Sequence, residues 1–237
     1  MARSSTPEPE FGETWTYESI VSALPGIDLS DRVAVAFQLA LFQVGVFALA
    51  AVYDAWSAAL VGTAAVIVAA GGSVVMLRMG ALVRSVSVSG SYRKLLFGSN
   101  VEVVLSVLAF IALVTYLLVV DPRQSATPLL NELFGPEPPM VLVYFALLVC
   151  WDLCYRIGAS WWIGVVSLWR TLRYPVDSET GATLGQVDLL NVGFGLLQVI
   201  LVPFVLDHPS LVVALGGHIL AVTTFSGSSY LIARSRR

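Results

Sequence analysis

An almost wholly apolar run, Met140 to Trp169, carries an acid and a base near its middle, Asp152 and Arg156. In a helix, residues four apart lie on one face, so the two side chains are neighbours. A charge in hydrocarbon is costly, and it therefore turns toward a bundle interior or a water-filled cavity and takes a partner. This one stretch limits the chain to folds in which several helices surround a polar interior.

The remaining composition agrees. Of 237 residues, 57% are hydrophobic and only 12% charged, against about 25% charged in soluble domains. Uncharged runs long enough to cross about 30 Å of hydrocarbon fall at about 33–52, 56–77, 101–120, 140–169, 188–206 and 210–232. The expected fold class is all-α, an integral membrane bundle of six transmembrane helices. Residues 1–32 form a tail, 33–233 the membrane domain and 234–237 a basic C-terminal tail. The tail is acidic and polar and lacks the pattern of a signal peptide. Within it, Phe11, Trp15, Ile20, Val21 and Leu24 suit a short helix lying in the interface. Ser30 and Asp31 are placed to cap the first span. Arg78 to Asn100 and the proline-rich 121–139 read as loops.

Cationic loops set the orientation. With both termini on the cytoplasmic side, eleven of the thirteen Lys and Arg residues lie inside, Arg123 lies outside and Arg156 lies within a span. The expectation is N-in and C-in, multi-pass, in the cell membrane. A net charge of −3 offers no basic footprint for nucleic acid. The lipid bilayer is the one certain partner class; a homo-oligomer or a membrane partner subunit stays open.

Depth along the helices, at about 1.5 Å per residue, predicts a polar layer. Gln43, Gln198 and His218 fall about eight or nine residues below the outer ends, Asp152 about twelve and Gln38 about fourteen. Amides in lipid seek hydrogen-bond partners, so Gln38, Gln43, Gln198 and His218 are expected to face one another, with Asp152 and Arg156 at the lower edge. The pair itself has three readings: mutual neutralisation that pins the helix, a gate or solute-carboxylate site, or an interface where Arg156 meets a foreign carboxylate. Glu102 and Arg170 are expected to meet as a surface pair; the other reading is a proton-linked carboxylate at a cytoplasmic mouth. Asn191, Gly193 and Gly195 suggest close packing, and Pro203 a kink.

Several chemistries find no support. The single lysine, Lys94, lies in a loop, so a retinal Schiff base has no partner in the membrane. Only His218 is an intramembrane histidine, which leaves a bis-histidine haem short of a ligand. No HExxH or phosphate-binding Gly-rich motif occurs. Ser73, Ser226 and Ser228 are weakly placed for serine proteolysis. Cys150 and Cys154, four apart, could join His218 around a soft metal, yet two buried free thiols are the commoner arrangement. No cofactor, catalytic residue or metal ligand is assigned, and an enzyme is the least favoured class.

The opening PEFGETWTYESIVSALPGIDLSDR, followed by six spans, resembles an uncharacterised family of haloarchaeal membrane proteins, and the lysine-poor composition agrees with it. The resemblance implies no activity, cofactor or site residue. Two function classes follow from the residues. One is a small ion or solute transporter or channel-like protein built around Asp152 and Arg156. The other is a non-catalytic membrane subunit or scaffold.

Overall fold

The computed structural model describes Thr14, Trp15, residues 30–175 and residues 177–236, with the side chains of Asp31 and Arg32 undescribed. The interfacial helix expected over 11–24 therefore lies outside the described residues, apart from Thr14 and Trp15, as does Arg237. Among the described residues the chain is helical throughout, and six helices are long and apolar enough to cross a membrane. Hydrocarbon offers the backbone no hydrogen bonds, so each segment must satisfy its own.

The first hairpin joins α1, Asp31–Tyr53, to α2, Trp56–Arg84. Asp54 closes it in the left-handed conformation, φ 53°, which a short polar side chain tolerates. Ser30 starts α1 through its carbonyl, which accepts from Val33 and Ala34; its side chain makes no capping bond. A short helix, α3, Gly90–Phe97, occupies what reads as loop, capped by the Ser89 hydroxyl at the Tyr92 amide.

The third span continues as α4, Val101–Thr115, a π-turn over Tyr116–Val120, and α5, Asp121–Gln124. Pro122 lacks an N–H and crowds the preceding turn, which accounts for the widened ladder just before it. A one-and-a-half-turn helix, α6, Leu129–Phe134, follows inside the proline-rich segment. The fourth span, α7, Met140–Arg173, runs unbroken through Gly158 for 34 residues. At about 1.5 Å per residue it exceeds the hydrocarbon thickness. The fifth span is α8, Ser178–Leu197, which tightens into a 3-10 helix over Gln198–Phe204 around Pro203. The sixth is α9, Pro209–Ser235.

Helix α7 is the hub of the bundle, packing on α1, α2, α3, α4, α8 and α9. It meets α4 tightly at Gly158, where a Cβ would stand 2.7 Å from the Ser106 backbone nitrogen. The two ends of the bundle differ. The arginine-rich end holds the large core, in which Trp15, Met79, Tyr92, Phe97 and Ile163 are buried. Trp15 stacks edge-on against Phe97 at 4.7 Å between centroids, which ties the N-terminal segment to α3. The opposite end, where the hairpin tips and α6 lie, has smaller clusters and an apolar cavity.

Candidate functional site

Asp152 and Arg156 do meet. The Arg156 guanidinium donates to an Asp152 carboxylate oxygen at 2.8 Å, one helical turn along α7. The second carboxylate oxygen accepts from the Gln38 amide of α1 at 2.8 Å. Gln38 in turn accepts from the Ser73 hydroxyl of α2 at 3.4 Å. Arg156 Nε donates to the Ala69 carbonyl of α2 at 2.7 Å, and Ser73 shares that carbonyl. The result is a ring of hydrogen bonds through three helices.

The ring is shut in by packing. Arg156 is fully buried. A Cβ on Gly72 would stand 2.5 Å from Arg156 Cδ and 2.8 Å from the Phe194 ring, so only glycine leaves room for the arginine stem. Beside Asp152 lies a void of about 10 Å³, lined by Gln38, Phe42, Ala69 and Val149 among others. That is at the lower limit for one water molecule.

The other expected members of the layer sit elsewhere. Gln43 donates to the Thr63 hydroxyl at 2.8 Å, within the first hairpin. Gln198 meets His218 at 3.3 Å, between the 3-10 segment and α9. The six residues thus form three separate sets, with Gln38 alone joining the ion pair. Cys150, Cys154 and His218 line one cavity. Among the described residues no group of three or more His, Cys, Asp or Glu side chains is spaced for a metal ion.

Two further polar clusters were not anticipated. Glu102 and Arg170 are both buried rather than at the surface, and Arg170 pairs with Asp188 of α8 at 3.0 Å. The same guanidinium reaches Thr171 and Ser229 at 3.1 Å and the Tyr92 hydroxyl at 3.3 Å. Deeper in the bundle, the Asn191 amide joins Ser160 of α7 to Ser226 of α9. A signal for both was present: Asp188, Asn191, Gly195 and Gln198 recur at helical spacing on one stripe, and all are buried.

At the tip end, Asp121 and His208 lie 2.9 Å apart and both are buried. Asp121 also accepts from the Tyr116 hydroxyl at 3.2 Å and from the Leu129 amide at 2.6 Å. His208 Nε2 is 3.6 Å from Glu132. One carboxylate thus fastens the start of α6 to the third span and to the last turn.

A family described as a family of unknown function (DUF7530) matches residues 10–229. The chain belongs to this family. The match takes in the first five spans, most of the sixth, and every member of the four clusters. No curated protein and no solved structure matches.

Proposed function

We propose that this chain is a non-catalytic component of the cell membrane, N-in and C-in, in which the Asp152–Arg156 ring locks α1, α2 and α7 together. The observation that carries this reading is the closure of the ring. Every bond of the Asp152 carboxylate ends on Arg156 or Gln38, and the space beside it is about 10 Å³. A conduction site needs a wet path, and among the described residues the space beside this carboxylate holds about one water molecule. Burying an ion pair gains little net stability, but removing one partner is severely destabilising; such a pair suits a device that fixes how helices meet. The charged, arginine-rich end then serves as the face toward a homo-oligomeric copy or a membrane partner. A haloarchaeal source belongs to the same proposal and rests on the opening residues and the lone Lys94.

The transporter reading draws on one observation, the 13% residual exposure of the Asp152 side chain. Reconstitution separates the two. The expected result is no cation or carboxylate flux above empty liposomes for either the natural chain or Asp152→Asn, together with a stoichiometric protein co-purifying from mild detergent or a defined homo-oligomer. Flux in the natural chain that Asp152→Asn abolishes at normal expression would overturn the proposal in favour of transport.

A further inference from the structure

The tip half of the bundle carries a half-open cavity of about 540 Å³ between α1, α2, α4, α6, α7 and α9. That volume falls within the range of small-molecule sites, about 300–1,000 Å³. Its wall is hydrocarbon: Ala59, Leu113, Leu130, Ala146 and Leu201 are representative. Protein interiors are close-packed, with few voids larger than a water molecule. Left without an occupant, apolar walls of this extent lose their packing contacts. Water does not settle in an apolar cavity of this kind. What remains at this depth of a membrane is a hydrocarbon chain.

The way in is sideways. Ala112 of α4 and Ala214 of α9 edge the cavity, and both are exposed on the bundle surface. Above it, α6 forms a roof whose Leu129 and Leu130 face inward. The roof is held by the Asp121 carboxylate at the Leu129 amide. The cavity is therefore closed toward the membrane surface and open toward the bilayer.

Tyr116 and Ser210 put polar groups in the wall toward the tip, and His218 puts one deeper. His218 lines the cavity about thirteen ångströms below the start of α9, counting about 1.5 Å per residue. The Gln198 amide nitrogen faces His218 Nε2 at 3.3 Å; in the tautomer in which Nε2 accepts this bond, the ring hydrogen sits on Nδ1. Among the described residues that N–H has no acceptor. A donor facing hydrocarbon calls for a partner.

The geometry points to a binding site for a membrane-dissolved chain molecule with a carbonyl-type oxygen, its chain in the apolar cavity and its oxygen at His218 Nδ1. A quinone with a long tail and an acyl-chain lipid share that chemistry. The depth of His218 suits an oxygen that sits within the hydrocarbon. The site goes beyond the proposed scaffold role and does not depend on it.

The test uses the full chain purified in mild detergent. Mass spectrometry of an organic extract is expected to find one carbonyl-bearing chain compound near stoichiometry. Ultraviolet absorption marks a quinone and ester cleavage marks an acyl lipid; either supports the site and names its source. Ala146→Trp, which fills the cavity, is expected to lose the compound, and Val107→Trp on the lipid-facing side of α4 to keep it. A long-chain methyl ketone bearing a diazirine is then compared with the alkane of equal length. Labelling of α7 around Cys150 should favour the ketone by about fivefold, the ratio that one net hydrogen bond yields, and His218→Leu should abolish the preference. An extract of bulk lipid unchanged by Ala146→Trp, or equal labelling by ketone and alkane in the natural chain, would overturn the assignment. The ketone-to-alkane ratio needs no cavity-filling variant, so it decides the matter even where Ala146→Trp fails to fold.

Discussion

Arg170 and Asp188 form a buried ion pair across two helices, 3.0 Å apart, with the Ser229 hydroxyl bonded to both. The pair joins α7, α8 and α9 at the arginine-rich end, while the Tyr92 ring lies 5.4 Å from the guanidinium carbon. Removing one partner strands the other in the interior. Arg170→Met is expected to cost about 3–5 kcal/mol, read by reversible denaturant unfolding in mixed micelles. Arg170→Met combined with Asp188→Leu is expected to cost much less than the two single changes added together. Simple additivity would show that the two groups do not depend on each other.

Gly158 and Gly72 are tight for different reasons, and both predict the same sign. At Gly158 the obstacle is the Ser106 backbone, and at Gly72 it is the Arg156 stem with the Phe194 ring. Gly158→Ala and Gly72→Ala are each expected to destabilise by about 1–3 kcal/mol, the usual penalty of overpacking. Gly216 has open space around it, so Gly216→Ala is expected to be neutral or stabilising by up to about 1 kcal/mol. Thermal melting of the three variants side by side checks the order.

Asp121 holds three donors or partners at once: Tyr116, Leu129 and His208. Asp121→Ala is expected to release the start of α6. Hydrogen exchange across residues 129–134 should rise by about tenfold or more, since bonds to a charged group are worth about 1.5–3 kcal/mol. Exchange in the α7–α8 core should stay unchanged. A uniform rise through the bundle would mean that Asp121 supports the whole fold and not α6 alone.

Asp177 caps α8 from outside the spans. Its side chain accepts from the Thr180 and Glu179 amides, and these bonds, Thr180 first, hold its carboxyl below the usual carboxylate range. A depressed value means that the charged form is the one that caps. The capping contribution is complete above the ordinary carboxylate pKa and disappears as pH falls through the lowered folded value. Amide exchange corrected for intrinsic rates at Glu179 and Thr180 should accelerate only in that acid window. In Asp177→Ala it should be fast at every pH.

Hydrophobic length made the six spans readable, because a segment without water must bond its own backbone across a known thickness. The Asp152–Arg156 contact was readable for a similar reason, since i and i+4 on one helix leave little choice. Partners from other helices were not. Gln38, Gln43, Gln198 and His218 have comparable depths, but depth says nothing about rotation, and rotation decides that Gln43 turns to Thr63 while Gln38 turns to Asp152. Asp188 escaped notice because it stands where an apolar run begins, and a carboxylate there is ordinarily solvated. Asp121 and His208 each adjoin a proline, which makes them look like turn residues. Only the approach of two distant chain segments buries them together.

The hub position of α7 bears on how the chain is made. Helix α4 packs mainly on α7, and α1 and α2 offer the Gln38 amide and the Ala69 carbonyl to partners on α7. During synthesis the first three spans emerge before Asp152 and Arg156, the groups that complete the ring with Gln38 and the Ala69 carbonyl. Asp152 and Arg156 therefore set the moment at which a string of inserted hairpins becomes one body.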